Sequence, residues 1–170
     1  MSEKLVSELQ PVSFGARFAG SQSFTALFRE GMKLVEETAA YLDGSGRQEA
    51  KKLTRIAALA YATESMRLTT RLMQLASWLL LHRAVNEGEM PLDQANIEKN
   101  KVRLTSGDRM DAEVFKLLPD SLRQLIARCG ELEIRVRRLD MTLHSDRAVS
   151  VEENPVERQI DLLKRAFETS

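Results

Sequence analysis

The sequence predicts an all-α protein: an antiparallel three-helix bundle with one very long central helix, dimeric, followed by a mobile C-terminal amphipathic segment. The composition favours helices, because aromatic residues make up 5% of the chain and only 8 glycines and 4 prolines occur in 170 residues. Residues 47–87 contain neither Gly nor Pro. Apolar residues recur from Leu118 to Leu143 at alternating spacings of four and three, which is typical of packed helices.

The first helix is predicted over residues 24–43, after a flexible N-terminal arm over residues 1–22. Ser21 or Ser23 is a suitable N-cap residue. The turn that follows, residues 43–46, is so short that the next helix must return antiparallel to the first. The helical bundle domain as a whole is predicted over residues 23–147.

The second helix is predicted as the central one, over residues 47–87 and roughly 60 Å long at about 1.5 Å per residue. Ser45 and Gln48 have the spacing of a capping box at its start. One apolar row on this helix comprises Tyr61, Leu68, Leu72, Leu75 and Leu79. A second row beside it comprises Leu59, Ala62, Met66, Met73, Ala76 and Leu80.

The C-terminal half of this helix is apolar over more than half of its circumference, so it must be covered from more than one side. The first helix is long enough to cover only the N-terminal half. We therefore predict a homodimer, because an apolar patch left on one copy is most simply closed by a second. The predicted dimer interface comprises Leu68, Leu72, Leu75, Trp78, Leu79 and Leu81.

Residues 88–118 form an irregular connection with two predicted short helices, over 92–99 and 111–117. The third long helix is predicted over 119–145. The tail, residues 148–170, contains the amphipathic segment as a short helix, for which Asn154 and Pro155 suit the start. This segment either packs back on the bundle or binds a partner. Its predicted partner-binding residues are Val156, Ile160, Leu163, Lys164, Arg165 and Phe167.

The sequence predicts no catalytic, cofactor-binding or metal-binding residues, and therefore no enzyme. His82 and His144 lack a second ligand at helical spacing, which indicates helix-surface or helix-end residues. Cys129 occupies the apolar seam of the third helix, which indicates a buried thiol. No glycine-rich phosphate-binding motif is present.

Charge and hydropathy argue against two classes of partner. Lys plus Arg and Asp plus Glu number 25 each, so the sequence predicts no binding to nucleic acid. The longest apolar run, residues 78–81, is far too short for a membrane span, and no signal peptide is recognisable, so we expect a cytoplasmic protein. Glu64, Arg67 and Arg71 share one helix face, which indicates a solvated ion-pair network or, alternatively, a polar contact face for a partner.

Several stretches resemble a known family. They are YATESMRLTTRLM at residues 61–73, ASWLL at 76–80, EKNKVRL at 98–104, and the Leu118-Pro119 and Arg137-Arg138-Leu139-Asp140 phrases of the third helix. In these stretches the chain is similar to the RcdA family, the regulators of CtrA degradation of alphaproteobacteria. The resemblance covers about residues 24–140.

The resemblance implies a dimeric, non-enzymatic adaptor for regulated proteolysis. Such an adaptor binds the ClpX–ClpP protease after a CpdR-type response regulator has primed it. It tethers substrates such as CtrA, or a PopA-type second adaptor that binds cyclic di-GMP, and works at the cell pole. Two alternatives remain: a dimeric scaffold or signalling bundle unrelated to proteolysis, and a nucleic-acid-associated regulator that uses Arg135, Arg137 and Arg138.

Overall fold

The computed structural model describes residues 22–101 and 111–151, with the side chains of the last helix described as far as Leu143. This part of the chain forms six helices and no strand, which confirms the all-α class. The helices are α1 (Gln22–Asp43), α2 (Ser45–Ala50), α3 (Arg55–Asn86), α4 (Leu92–Lys101), α5 (Ala112–Lys116) and α6 (Asp120–Val151). The predicted N-terminal arm before Gln22 and the tail stripe that begins at Val156 lie outside the described residues.

The prediction of one continuous helix over 47–87 is wrong, because the chain turns between α2 and α3. The side chain of Thr54 caps α3, where its hydroxyl accepts a hydrogen bond from the backbone N–H of Ala57 at 3.4 Å. The capping box is also wrong: Gly44 is the N-cap residue of α2, and no side-chain hydrogen bond caps that helix. The central helix is therefore 32 residues long.

Tertiary contacts explain the break. The hydroxyl of Tyr41 donates a hydrogen bond of 2.7 Å to Glu49, which ties α2 to the end of α1. Gly46 lies so close to two tyrosines that an added Cβ would meet the Tyr61 hydroxyl at 2.6 Å and the Tyr41 carbonyl at 2.7 Å. Only glycine fits this close to the tyrosines, and a straight continuation of α2 into α3 would place Gly46 and Tyr61 roughly 22 Å apart.

The three long helices pack on one another pairwise. Gly31 of α1 lies against Leu79 and Leu132, so α1 approaches both α3 and α6 closely at this level. Ion pairs join Arg128 to Glu37 and Arg135 to Glu30, which shows that α6 runs opposite to α1. Contacts of α6 with α3 occur in the same order along both helices, so these two run parallel.

The core lies between these helices and confirms the predicted seam of α6. Its α6 members are buried from Leu122 to Val136, and Leu139 and Leu143 are half-buried. Fully burying each such side chain stabilises the fold by about 1.5–3 kcal/mol. The buried apolar residues are Phe24, Leu27, Leu34, Tyr41, Ala57, Leu68, Leu72, Leu75, Trp78, Leu79, Ala95, Leu118, Leu122, Leu125, Cys129, Leu132 and Val136.

Both predicted short helices are present, as α4 and α5. A polar contact fixes α4: the ammonium of Lys99 lies 2.8 Å from the carboxylate of Asp140, which also accepts a hydrogen bond of 2.9 Å from the indole N–H of Trp78. The last helix continues to Val151, six residues beyond its predicted end and into the first residues of the predicted tail. Among the described helices, none combines the length and apolar character needed to cross a membrane.

Candidate protein interaction surface

The residues predicted as the dimer interface belong to the core of a single chain. Five of the six, namely Leu68, Leu72, Leu75, Trp78 and Leu79, are at most 3% exposed, and Leu81 is half-buried. The reason lies in the shorter central helix. Because α3 begins at Arg55, the 22 residues of α1 reach along most of its length, and α6 covers the remaining inner side. The five buried residues therefore offer no surface to a second copy, and Leu81 offers a partly exposed one.

Apart from Ile56, the large exposed apolar residues of α3 belong to the second predicted row. Leu59, Met66, Met73 and Leu80 are 71%, 73%, 65% and 52% exposed, and they recur every seven residues along one side of the helix. With the intervening residues this surface, which we call the outer row, comprises Leu59, Ala62, Met66, Thr69, Met73, Ala76 and Leu80. It contains no charged side chain and runs for roughly 32 Å at about 1.5 Å per residue.

Three hydroxyl groups on and beside the outer row already donate hydrogen bonds within α3. Thr69 donates to the carbonyl of Ser65 at 2.8 Å, Thr70 to that of Met66 at 3.0 Å, and Ser77 to that of Met73 at 2.8 Å. A partner that covers the row would therefore leave these three hydroxyl protons bonded. Burying an unsatisfied polar group costs about 1–3 kcal/mol, and this surface avoids that cost.

The outer row also has a two-fold pattern along the helix. The point between Thr69 and Thr70 is equally distant from Leu59 and Leu80, and equally distant from Met66 and Met73. Two copies of α3 that lie antiparallel would therefore place leucine opposite leucine at both ends and methionine opposite methionine in the middle. A symmetric dimer requires such a self-complementary surface.

The predicted polar contact face divides into two ion-pair groups. Buried Glu64 pairs with Arg67 at 2.9 Å within α3. Arg71 instead crosses to α6, where its guanidinium pairs with Glu133, a buried carboxylate that also accepts a hydrogen bond from Arg137 at 2.6 Å. Arg71 therefore holds two helices together, and Arg67 is the one member of the three that is exposed.

The arginines considered for nucleic-acid binding are engaged in the same way. Arg135 pairs with Glu30 of α1, and Arg137 pairs with Glu133. Of the three, Arg138 is the one that forms no ion pair with another described residue, and it is exposed. The face therefore carries neutralised charge rather than a basic stripe.

His82 and Cys129, the imidazole and the thiol of the described side chains, lie in the interior. His82, expected near the helix surface, is buried and stacks on Trp78 with ring centroids 4.1 Å apart. Burial raises the pKa of the Cys129 thiol to about 11, so this thiol is protonated and inert at neutral pH. Across the residues that the structure describes, no group of three or more His, Cys, Asp or Glu side chains converges on a point where a metal ion would fit.

Two open grooves lie at opposite ends of α3. One, of about 650 Å³, is lined by Phe24, Phe28 and Met32 of α1, and the Arg83 guanidinium lies 5.0 Å from the centre of the Phe28 ring. The other, of about 590 Å³, lies where α2 meets α3 and is lined by Leu42, Ala50, Tyr61 and Met66, among others. Neither was anticipated from the sequence, because each depends on the angle between helices.

The described part of the chain is all-helical, and its long, uncharged, apolar outer row is a candidate surface for protein contact. The family model described as a protein of unknown function (DUF1465) matches residues 15–167. The crystal structure of RcdA from Caulobacter crescentus CB15 is 52% identical in sequence, with a TM-score of 0.62, and the match covers 75% of this chain and 96% of that chain. The chain therefore belongs to the DUF1465 family and is an RcdA-like protein. No curated protein matches it.

Proposed function

We propose that this protein is a non-enzymatic adaptor for regulated proteolysis, which tethers CtrA-like cell-cycle regulators, or a second adaptor, to ClpX–ClpP. The observation that carries the proposal is the 52% identity to RcdA, over nearly the whole of that chain. The described residues add two supporting features: an outer row suited to protein contact and an inert, protonated thiol in the core.

Tethering works through effective concentration. An adaptor that binds cargo and protease through separate weak contacts makes delivery intramolecular, and avidity rises by roughly 10²–10⁴-fold without any catalytic group. The partners in this proposal are ClpX–ClpP, a CpdR-type response regulator that primes it, and a PopA-type adaptor that binds cyclic di-GMP. The place of action is the cytoplasm at the cell pole.

Two surfaces would bind different partners. We assign the homodimer contact to the outer row, in place of Leu68, Leu72 and the other buried residues, because it is exposed, uncharged and two-fold in pattern. The tail stripe from Val156 to Phe167, flanked by Lys164 and Arg165, remains the proposed contact for other partners, because its apolar spacing suits a helix that binds in a groove.

A reconstituted degradation reaction tests the proposal. Purified ClpX–ClpP, a CpdR-type regulator and CtrA are mixed with increasing amounts of this protein, and the half-life of CtrA is followed. Tethering predicts a minimum in half-life at intermediate concentration, because excess adaptor places protease and cargo on different molecules. A substrate that needs no adaptor serves as the control and should not respond. A CtrA half-life that stays constant at every concentration would contradict the proposal.

The second candidate is a dimeric scaffold or signalling protein unrelated to proteolysis. The two-fold pattern of the outer row favours it, because that pattern accounts for dimerisation without any protease. In the same reaction, a stable dimer that leaves CtrA degradation unchanged would select this candidate.

A further inference from the structure

The elbow between α2 and α3 carries a local excess of positive charge. Residues 47–55 contain four basic side chains and one acidic one, a net charge of +3 in a chain whose total is zero. Arg47 pairs with Asp43 at 2.9 Å. Lys51, Lys52 and Arg55 are exposed and form no ion pair with another described residue. Three positive charges thus face solvent at one end of the molecule.

The groove of about 590 Å³ begins at this elbow and continues along α3. Lys51 lies at its basic end, and Thr70 lines its far end. Between them the lining is mainly apolar, with Leu42, Ala50, Tyr61 and Met66 beside the hydroxyl residues Ser65 and Thr69. From Tyr61 to Thr70 the groove follows α3 for roughly 14 Å at about 1.5 Å per residue. Its occupant should therefore be acidic at one end and apolar along the rest.

The C-terminal residues of this chain have that pattern. Residues 152–170 contain five acidic and three basic side chains, a net charge of −2. The acidic pair Glu152 and Glu153 comes first, and the apolar stripe from Val156 to Phe167 follows. At helical spacing this stripe is roughly 17 Å long, which is close to the length of the groove.

A chain cannot place residues 152–170 in its own groove with the acidic pair at the basic end. Because α6 runs parallel to α3 and Asp140 lies beside Trp78, Val151 and the groove residue Tyr61 are at opposite ends, roughly 40 Å apart along the axis. The five residues from Val151 to Val156 span at most roughly 18 Å when fully extended. The occupant must come from another molecule.

We propose that residues 152–170 of one copy dock in the elbow groove of a second copy, with Glu152 and Glu153 beside Lys51 and Lys52. The contact combines charge complementarity at the elbow with burial of the apolar stripe along α3. The contact does not require pairing of two copies through the outer row, with which the groove shares Met66 and Thr69. It depends on neither the protease nor any substrate.

Docking of this kind would regulate whether the tail stripe is available to other partners. A stripe held in a neighbour's groove cannot contact another partner, so a competing partner must displace it or bind the fraction that is released. Because exposed charges set much of the attraction, the contact should weaken as salt shortens the Debye length from about 10 Å at 0.1 M ionic strength.

Disulfide trapping in the full-length chain tests the contact. One preparation carries Thr70→Cys and another carries Ser170→Cys, and the two are mixed under mild oxidation. The native thiol does not compete, because Cys129 is buried. In the control, Thr25→Cys replaces Thr70→Cys and is mixed with the same Ser170→Cys preparation; Thr25 is an exposed threonine near the other end of α3. The proposal predicts that the mixed disulfide of Thr70→Cys forms at least about tenfold faster than that of Thr25→Cys. Equal rates for the two pairs would overturn it.

A chain that carries both Thr70→Cys and Ser170→Cys separates the two possible origins of the tail. The proposal predicts disulfides between chains, at a rate that rises with protein concentration. A disulfide within one chain, at a rate independent of concentration, would overturn it.

Charge reversal supplies the matched controls. Lys51→Glu with Lys52→Glu should slow trapping by about three- to tenfold, from two exposed charge contacts. Arg29→Glu with Arg138→Glu reverses two exposed arginines that form no ion pair with another described residue, and should leave the rate unchanged. Adding Glu152→Lys and Glu153→Lys to the lysine variant should restore the rate. Equal slowing by both pairs, or failure of the restoration, would show that the elbow does not recognise the tail.

Discussion

The two sides of α3 have nearly the same sequence pattern and opposite environments. The inner side places Leu68, Leu75 and Leu79 in the core, at 0–1% exposure, whereas the outer row leaves Met66 and Met73 at 73% and 65%. Both rows are apolar and both recur at helical spacing. The difference shows that periodicity identifies apolar rows but does not identify which of them the rest of the chain will cover. An exposed row of this length is then a candidate interface.

The largest expected effect is on the free energy of unfolding. It is measured by shortening one side chain of each row to alanine in separate variants. Leu79→Ala should lower the free energy of unfolding by about 3–5 kcal/mol, because it removes buried methyl groups and leaves a cavity beside Gly31. Met73→Ala should change the stability of the single chain by less than about 0.5 kcal/mol. Urea unfolding at submicromolar concentration measures both. A comparable loss in the two variants would mean that the outer row is buried even at that dilution.

The next effect concerns association rather than folding. Met66→Lys with Met73→Lys places two charges at the middle of the outer row and should weaken the proposed dimer by at least about 100-fold, or roughly 2.7 kcal/mol. Sedimentation velocity across a concentration series measures the dissociation constant.

The control for this variant uses two exposed apolar residues of α6, Ile134 and Met141, which are also seven residues apart. Ile134→Lys with Met141→Lys adds the same charge away from the outer row, and the dissociation constant should be unchanged. If this control weakens association as much as the outer-row variant does, the outer row is not the dimer contact.

The smallest effect is a pH dependence that originates in the core. Burial holds the pKa of Cys129 at about 11, whereas a thiol in the unfolded chain ionises near pH 8.5. Unfolding therefore releases a proton in this window, and the stability should fall by about 1–2 kcal/mol between pH 8 and pH 10. Urea unfolding across this pH range measures the fall. Burial and Glu49 also raise the pKa of Tyr41, which adds a fall in the same direction at higher pH.

Cys129→Ala isolates the contribution of the thiol. This variant should lose the part of the pH dependence that begins near pH 8.5 and keep the part due to Tyr41. If the slope between pH 8 and pH 10 is the same in both proteins, the thiol is not the group that titrates.

The contrast between α6 and α3 shows what could be predicted and what could not. The seam predicted from Leu118 to Val136 is buried, because its strict spacing of four and three marks one continuous apolar stripe. On α3 two rows compete, and the row predicted as the interface is the buried one. The break at residues 51–54 was also missed, although Thr54 is a good N-cap residue, because Ser45 offers an equally good local signal.

The sequence by itself determined the helical class, the membership of the RcdA-like family and the positions of the apolar rows. These properties depend on composition, on spacing and on residues that are adjacent along the chain. The tertiary structure decided the start of α3, the burial of its inner row, the exposure of its outer row and the capture of Arg71 by Glu133. These features depend on contacts between residues that are distant in sequence, such as Gly46 beneath Tyr61 and Gly31 against Leu79, where the absence of a single Cβ sets how closely two helices approach.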